Sequence, residues 1–158
     1  MEFIPLGKWI RTMSCQILPF KSPLQIASIA LRRKVLRIPL GLDFTDQELA
    51  EEDQQIHFAY IVKQQVLGVL LLKPQDEQML KMRQVAVDPT QQGQGIGKSM
   101  VAFSEQWAKE NGFNTIELNA RKTAVPFYLN LAYQIEGSEF EEVGVPHYKM
   151  VKKLSSIA

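Results

Sequence analysis

The sequence predicts an α/β (α+β) fold in a single domain, and three observations lead there. Runs rich in β-branched and aromatic residues alternate with segments of helical periodicity, and 158 residues at 46% hydrophobic content suffice for one ordinary core. Between one apolar run and one helix-like segment lies Gln92–Gly97, which reads Gln-Gly-Gln-Gly-Ile-Gly.

Composition narrows the function classes. Lys plus Arg number 18 against 17 for Asp plus Glu, a net charge of +1, so no global field draws nucleic acid or an anionic membrane surface to the chain. Cys15 is the single cysteine and excludes an internal disulfide, while one cysteine with two histidines cannot build a cysteine-rich zinc site. A cytoplasmic setting without a metal is expected, and no apolar run approaches the roughly 20 residues that cross a bilayer. A homodimer stays open.

Residues 1–14 are mildly apolar but broken by Pro5, Gly7, Lys8 and Arg11, with no continuous core of signal-peptide length. They are read as an N-terminal extension to a domain over residues 15–158, with Met13 as an alternative start. Gln16 to Phe20 reads as a first strand. Ser22-Pro23-Leu24-Gln25 then supplies an N-cap, a proline at N1 and a capping-box glutamine, which predicts a helix over Pro23–Arg37. Leu24, Ala27, Ile29, Leu31, Val35 and Leu36 outline its buried stripe, and Pro39 stops it. A second capping box, Thr45 to Glu48, opens a short acidic helix. Ile56 to Val62 and Val66 to Leu72 read as a hairpin, and Met79 to Val87 as a third long strand. After the glycines, Ile96, Met100, Phe103 and Trp107 fall on one helix face, and Gly112 sits where a C-terminal cap belongs. A strand at Thr115–Ala120, a helix at Thr123–Leu131 and a hairpin of Gln134–Val143 with His147–Leu154 complete the order.

The glycine loop carries the chemistry. Glycines admit φ > 0 and close backbone approach, and the first N–H groups of a helix lack internal partners and carry the positive end of its dipole. An anion, most naturally a pyrophosphate, suits such a loop, although the hexapeptide alone also suits a surface turn. Spacing separates the phosphate-binding patterns. A Walker A loop ending in Gly97-Lys98-Ser99 needs glycine where Gln92 stands, and the dinucleotide pattern G-x-G-x-x-G needs it at Lys98 or Met100.

The pattern that fits is Q/R-x-x-G-x-G/A, through Gln92, Gly95 and Gly97, and it resembles the coenzyme A pyrophosphate loop of the GNAT superfamily of acyl-CoA-dependent N-acetyltransferases. A second stretch, Ala124-Val125-Pro126-Phe127-Tyr128-Leu129-Asn130-Leu131-Ala132-Tyr133, resembles that family's A-x-x-F-Y-x-x-x-G-F signature. The element order is similar to the GNAT fold across nearly the whole chain. Two positions depart from the pattern: Ala132 replaces the usual glycine, and Arg121 stands where many members carry asparagine.

The resemblance implies a mixed, mostly antiparallel sheet flanked by helices, and acetyl-CoA as acyl donor with no metal. It implies that Val85, Ala86 and Val87 line the pantetheine arm, and that Gln92, Gly93, Gln94, Gly95, Ile96, Gly97, Lys98 and Ser99 hold the pyrophosphate. Backbone N–H groups near Val85 would stabilise the oxyanion, and Tyr128 would protonate the leaving thiolate. Each aromatic also suits plain packing. A lysine-like amine is free base only about once in two thousand molecules at pH 7, which calls for a base or a water chain. His57 and His147 are the candidates, with His147 preferred because the last hairpin of this fold borders the acceptor cleft.

The same resemblance implies an acceptor side formed by the first helices and the last hairpin, which would draw on Arg32, Arg33, Arg37, Asp53, Glu141 and Glu142. The clusters Arg32-Arg33-Lys34 and Glu48, Glu51, Glu52 and Asp53 read equally well as solvated faces, so the acceptor is specified only as a small-molecule or peptide amine. With Cys15 outside both motifs, direct attack in a ternary complex is expected rather than an acyl-enzyme. The alternatives are a non-catalytic acetyl-CoA-binding sensor and a nucleotide-phosphate binder.

Overall fold

Local capping chemistry starts the first helix where the sequence expects it. In the computed structural model, which describes residues 14–155, the Ser22 hydroxyl accepts the Gln25 amide at 3.3 Å, and Pro23 takes the first turn. Helix α1 spans Pro23–Arg32 and then widens into a π-type turn over Arg33–Arg37, followed by a 3-10 turn over Ile38–Leu40. The regular helix is therefore shorter than its periodicity suggests. Pro39 lacks an amide proton and its ring crowds the carbonyl four residues earlier, so the helix yields just ahead of it. The N-terminal extension expected over residues 1–14 falls, apart from Ser14, outside the described residues.

The remaining elements follow closely. Strand β1 is Cys15–Leu18, helix α2 is Asp46–Ala50, and strands β2, β3 and β4 are Ile56–Val62, Gln65–Pro74 and Met79–Val87. Helix α3 spans Ile96–Glu110, β5 Thr115–Arg121 and helix α4 Val125–Asn130. The single strand expected over Gln134–Val143 is instead two, β6 at Gln134–Ile135 and β7 at Phe140–Glu142, because the chain turns away at Gly137 with φ 87°. Strand β8 is Val145–Lys153.

Eight strands form one sheet in the order β1-β2-β3-β4-β5-β8-β6, with β7 also paired to β8. The pairs β1·β2, β5·β8, β6·β8 and β7·β8 are antiparallel and β4·β5 is parallel, giving the mixed, mostly antiparallel sheet expected. Packing divides the chain into two compact units: the residues up to Leu71 with Gln84–Ser104, and Leu72–Arg83 with the residues from Glu105 on.

In the first unit, Lys63 and Gln64 both have positive φ and close a two-residue turn between β2 and β3, the geometry that matches strand twist. Leu31 of α1 packs with Val69, Leu71 and Ala86, and Leu18 packs with Ala59 and Ile61. The buried face of α1 is Gln25, Ser28, Leu31 and Arg32, so Ala27 is exposed and the expected apolar stripe is displaced. Arg32 and Glu52, read from sequence as either solvated or facing the acceptor, are both buried against each other: Nη1 and Nη2 of Arg32 donate to the two Glu52 oxygens at 2.8 and 2.6 Å. A buried guanidinium stays charged, so it requires such a partner.

In the second unit, β4 runs beside β5 from Met79↔Thr115 to Met82↔Leu118, while β5 pairs β8 from Thr115↔Lys153 to Arg121↔His147. Leu80, Ile116 and Met150 are fully buried there. Glu105 accepts from both the Tyr133 hydroxyl at 2.9 Å and Lys152 at 2.8 Å.

Candidate active site

Residues Val85–Ser99 come together in the first unit. Ala86 is buried against Leu31, Val69 and Leu71, while Val85 and Val87 are half-buried on β4. Just before Val85, Gln84 adopts φ 56°, a left-handed conformation inside a strand. Nothing in the sequence announces it, because glutamine has no particular preference for that region.

Asp88 ends the strand and fixes the start of the loop. Its amide donates to the Leu67 carbonyl at 2.8 Å, and its carboxylate accepts the Thr90 amide at 2.9 Å and hydroxyl at 2.8 Å. Those two hydrogen bonds hold the Asp88 carboxyl below the usual carboxylate range. A 3-10 turn over Pro89–Gln91 leads into Gln92, Gly93, Gln94 and Gly95, all exposed. Gly93 and Gly95 have φ of 81° and 79°, and a Cβ on either would meet nothing within 4 Å. Backbone conformation, rather than crowding, therefore demands glycine at both.

Helix α3 begins immediately. Its first i→i−4 bond runs from the Ser99 amide to the Gly95 carbonyl at 3.0 Å, so the amides of Ile96, Gly97 and Lys98 precede the helical ladder. Such amides, at the positive end of a 15-residue helix, suit a phosphate. The end of α3 is seated against strand β3 at Gly68, where a Cβ would lie 2.7 Å from Met100 Cε, 2.9 Å from its Sδ and 3.0 Å from Ile96 Cγ2. An isolated glycine inside a strand pattern is the one sequence signal that could have revealed this close approach.

Tyr128 and His147 belong to the second unit. Tyr128 is buried in α4 with its ring edge-on to Phe127 at 4.9 Å and to Tyr133 at 5.7 Å. Burial raises its phenol well above the ordinary value, so the group is a neutral donor at any physiological pH. Whereas Tyr133 donates to Glu105, the Tyr128 hydroxyl has no hydrogen-bond partner among the described residues. The chain after α4 forms a Schellman cap: the Tyr133 amide donates to the Tyr128 carbonyl at 3.0 Å, and the Ala132 amide to that of Leu129 at 3.1 Å. Ala132 takes φ 71° there.

His147 is buried, in register with Arg121 of β5 and Phe140 of β7. Its Nδ1 lies 2.9 Å from the Val145 carbonyl; a carbonyl only accepts, so Nδ1 carries a proton. Its Nε2 lies 3.5 Å from a Glu142 oxygen, and the other Glu142 oxygen accepts the Asn119 amide at 3.2 Å. His57 differs. Its Nε2 donates to the Glu52 carbonyl at 2.9 Å, its Nδ1 is buried without a partner, and burial lowers its pKa.

Among the described residues no helix is long and apolar enough to cross a membrane, and no group of His, Cys, Asp and Glu could hold a metal ion.

The chain is similar to several known proteins. The Bacillus subtilis (strain 168) protein YyaT is 35% identical over 75 residues, 48% of this chain and 51% of that one. The chain spans about half the length of the curated relatives it matches. A solved structure from Lactobacillus plantarum, provisionally named an N-acetyltransferase, has a TM-score of 0.77 at 26% identity, covering 90% of this chain and 99% of that one. An aminoglycoside 6'-N-acetyltransferase complexed with coenzyme A shares the fold, with a TM-score of 0.76 at 16% identity over 91% of this chain and 98% of that one. The family model described as Acetyltransferase (GNAT) domain matches residues 42–154. Because that match takes in the glycine loop, the left-handed strand residue before it and the helix that carries Tyr128, the chain belongs to the GNAT acetyltransferase family.

Proposed function

We propose that the protein, through a catalytic domain over residues 15–158, is a cytoplasmic N-acetyltransferase that moves an acetyl group from acetyl-CoA to a primary amine by direct attack in a ternary complex. The observation that carries this reading is the paired left-handed glycines, Gly93 and Gly95, opening onto helix α3 inside a GNAT family match. The amides of Gly93 to Lys98 hold the donor's pyrophosphate, with Gln92 and Ser99 at the edges of the cradle. The backbone of Val85, Ala86 and Val87 pairs with the pantetheine amides as an added strand would.

The donor supplies a thioester carbonyl and a thiolate leaving group. A preorganised N–H at Val85 stabilises the charge that develops on the carbonyl oxygen. Tyr128, neutral because it is buried, donates its phenolic proton to the departing sulfur. On the acceptor side, His147 Nε2 faces the Glu142 carboxylate at 3.5 Å, a spacing that suits the two groups acting together on a cationic amine. Glu142 receives the cationic amine, and His147 takes its proton. A route through Cys15 has no support, since it lies buried in β1.

Release of free CoA from acetyl-CoA across an amine panel tests the reading, with aminoglycosides as one arm because a fold neighbour acts on them. Tight acetyl-CoA binding without release on any amine overturns it in favour of a sensor. Tyr128→Phe should lower kcat about a hundredfold or more at unchanged acetyl-CoA affinity. His147→Ala should lower kcat well beyond any change in acetyl-CoA affinity, and unaltered turnover rules that residue out.

A further inference from the structure

We propose that Arg32 is a positioning residue for acyl transfer, acting through Gln84. Resting on the acetyltransferase reading, this adds a specific claim: a buried arginine on the first helix sets the backbone that precedes Val85.

The geometry points to it in three steps. Gln84 has φ 56°, roughly 180° from the value of an ordinary strand residue, so the peptides flanking it do not alternate as in a regular strand. The turned peptide leads directly into Val85. For a residue with a Cβ, such a conformation is strained and persists only where its surroundings hold it. Arg32 supplies the hold: its Nε donates to Gln84 Oε1 at 3.2 Å.

Arg32 is itself held by several partners. Its guanidinium is fully buried, its Nη1 and Nη2 are taken by the two oxygens of Glu52, and its Cζ lies 4.6 Å from the centre of the Phe44 ring. The planar fork fixes the direction of the remaining Nε–H once Glu52 has engaged the other two nitrogens. Only an acceptor at one location can meet it. The side chain of Gln84 reaches that location while its backbone is left-handed, so Glu52, Arg32 and Gln84 form a chain from the segment after α2 to the strand at Val85.

A comparison of two variants at one position separates positioning from mere packing. Gln84→Ala removes the acceptor but keeps the Cβ that disfavours positive φ, whereas Gln84→Gly removes the acceptor and the disfavour together. The expected result is a fall in kcat of about tenfold for Gln84→Ala, less than the roughly hundredfold or more for losing a whole oxyanion donor, with KM for acetyl-CoA nearly unchanged. Gln84→Gly should recover to within about threefold of the parent. Scalar couplings measured by NMR at residue 84 should report loss of the positive φ in the alanine variant and its retention in the glycine variant. Arg32→Lys, which keeps the charge but loses the fork, should lower kcat in the parent and have no further effect on Gln84→Gly, as non-additivity requires. Equal losses in the alanine and glycine variants, or an unchanged φ with unchanged kcat in Gln84→Ala, overturn the proposal. A parent that releases no CoA with any amine, while φ moves as described, instead overturns the acetyltransferase reading and leaves the Arg32–Gln84 coupling standing.

Discussion

Enlarging Gly68 should weaken coenzyme A binding although the residue is a strand glycine rather than part of the loop. A Cβ at Gly68 would come within 2.7 Å of Met100 Cε, 2.9 Å of Met100 Sδ and 3.0 Å of Ile96 Cγ2. The Met100 contacts are the far end of a flexible side chain, which can rotate away. In Gly68→Ala the overpacking cost of about 1–3 kcal/mol is therefore near its lower limit, and about 0.5–1 kcal/mol is offset because alanine loses less backbone entropy than glycine in a strand.

Valine adds two branches, and Ile96 has less room to yield. Ile96 is buried and is the first residue of α3, so displacing it tilts the amides of Ile96, Gly97 and Lys98. Those are the amides proposed to hold the pyrophosphate, so misaligning one charge-assisted hydrogen bond, worth about 1.5–3 kcal/mol, should weaken CoA binding about tenfold or more. Calorimetric titration of CoA with urea denaturation of the same samples checks this. Gly68→Ala should bind within about threefold of the parent and Gly68→Val should not. A valine variant destabilised by more than about 2 kcal/mol that binds CoA within twofold would refute the idea that this contact seats the phosphate-binding end of the helix.

Three further outcomes are expected. Glu52→Ala strands a buried guanidinium and should cost about 3–5 kcal/mol, a fall in melting temperature of about 6–20 °C; Arg32→Met together with Glu52→Leu should recover most of it, and a loss below about 1 kcal/mol for the single change contradicts the burial argument. His57 has its pKa lowered from 6.5 chiefly by desolvation, so below that pH the unfolded chain binds more protons than the folded one. Its contribution to stability is full above about 6.5 and fades as the pH falls toward the depressed value, and His57→Phe should flatten that acid dependence in denaturation curves. Burial pushes the Cys15 thiol up to about 11, leaving roughly one molecule in a thousand as thiolate at pH 8; thiol reagents should label it slowly until urea unfolds the chain, and equal native and unfolded rates count against it.

The parts of this fold that the sequence revealed are those fixed by neighbours in the chain. Ser22 caps α1 and Thr45 with Glu48 boxes α2 because a side chain and an amide three residues apart need nothing else. The glycine loop is legible for the same reason, since Gly93 and Gly95 answer a local demand for positive φ. What stayed hidden depends on long-range partners. Arg32 and Glu52 stand 20 residues apart, and Arg32 and Gln84 52 apart; read alone, each is a surface residue type. The left-handed Gln84 is imposed from outside its own strand, so no propensity could find it. The division into β6 and β7 was legible too, since the Gly137-Ser138 pair between them is a turn-forming dipeptide and Gly137 takes φ 87°.

Ala132 joins these two kinds of information in one residue. The family signature has glycine there, and the structure supplies the reason: Ala132 is the left-handed residue of the Schellman cap whose bonds run back to the carbonyls of Tyr128 and Leu129. The edge contact between the rings of Tyr128 and Tyr133 is the apolar contact that accompanies such a cap. An L-residue in that conformation costs about 1–2 kcal/mol, and replacing it by glycine returns that amount less about 0.5–1 kcal/mol of backbone entropy. Ala132→Gly should therefore stabilise the protein by about 0.5–1 kcal/mol, a rise in melting temperature of about 1–4 °C. Because the cap bonds to the carbonyl of Tyr128 itself, the variant also probes the proposed acid. Turnover should stay within about twofold of the parent, since the cap is kept and only its strain is relieved. A lower melting temperature would mean that the Ala132 methyl makes packing contacts worth more than the strain it imposes.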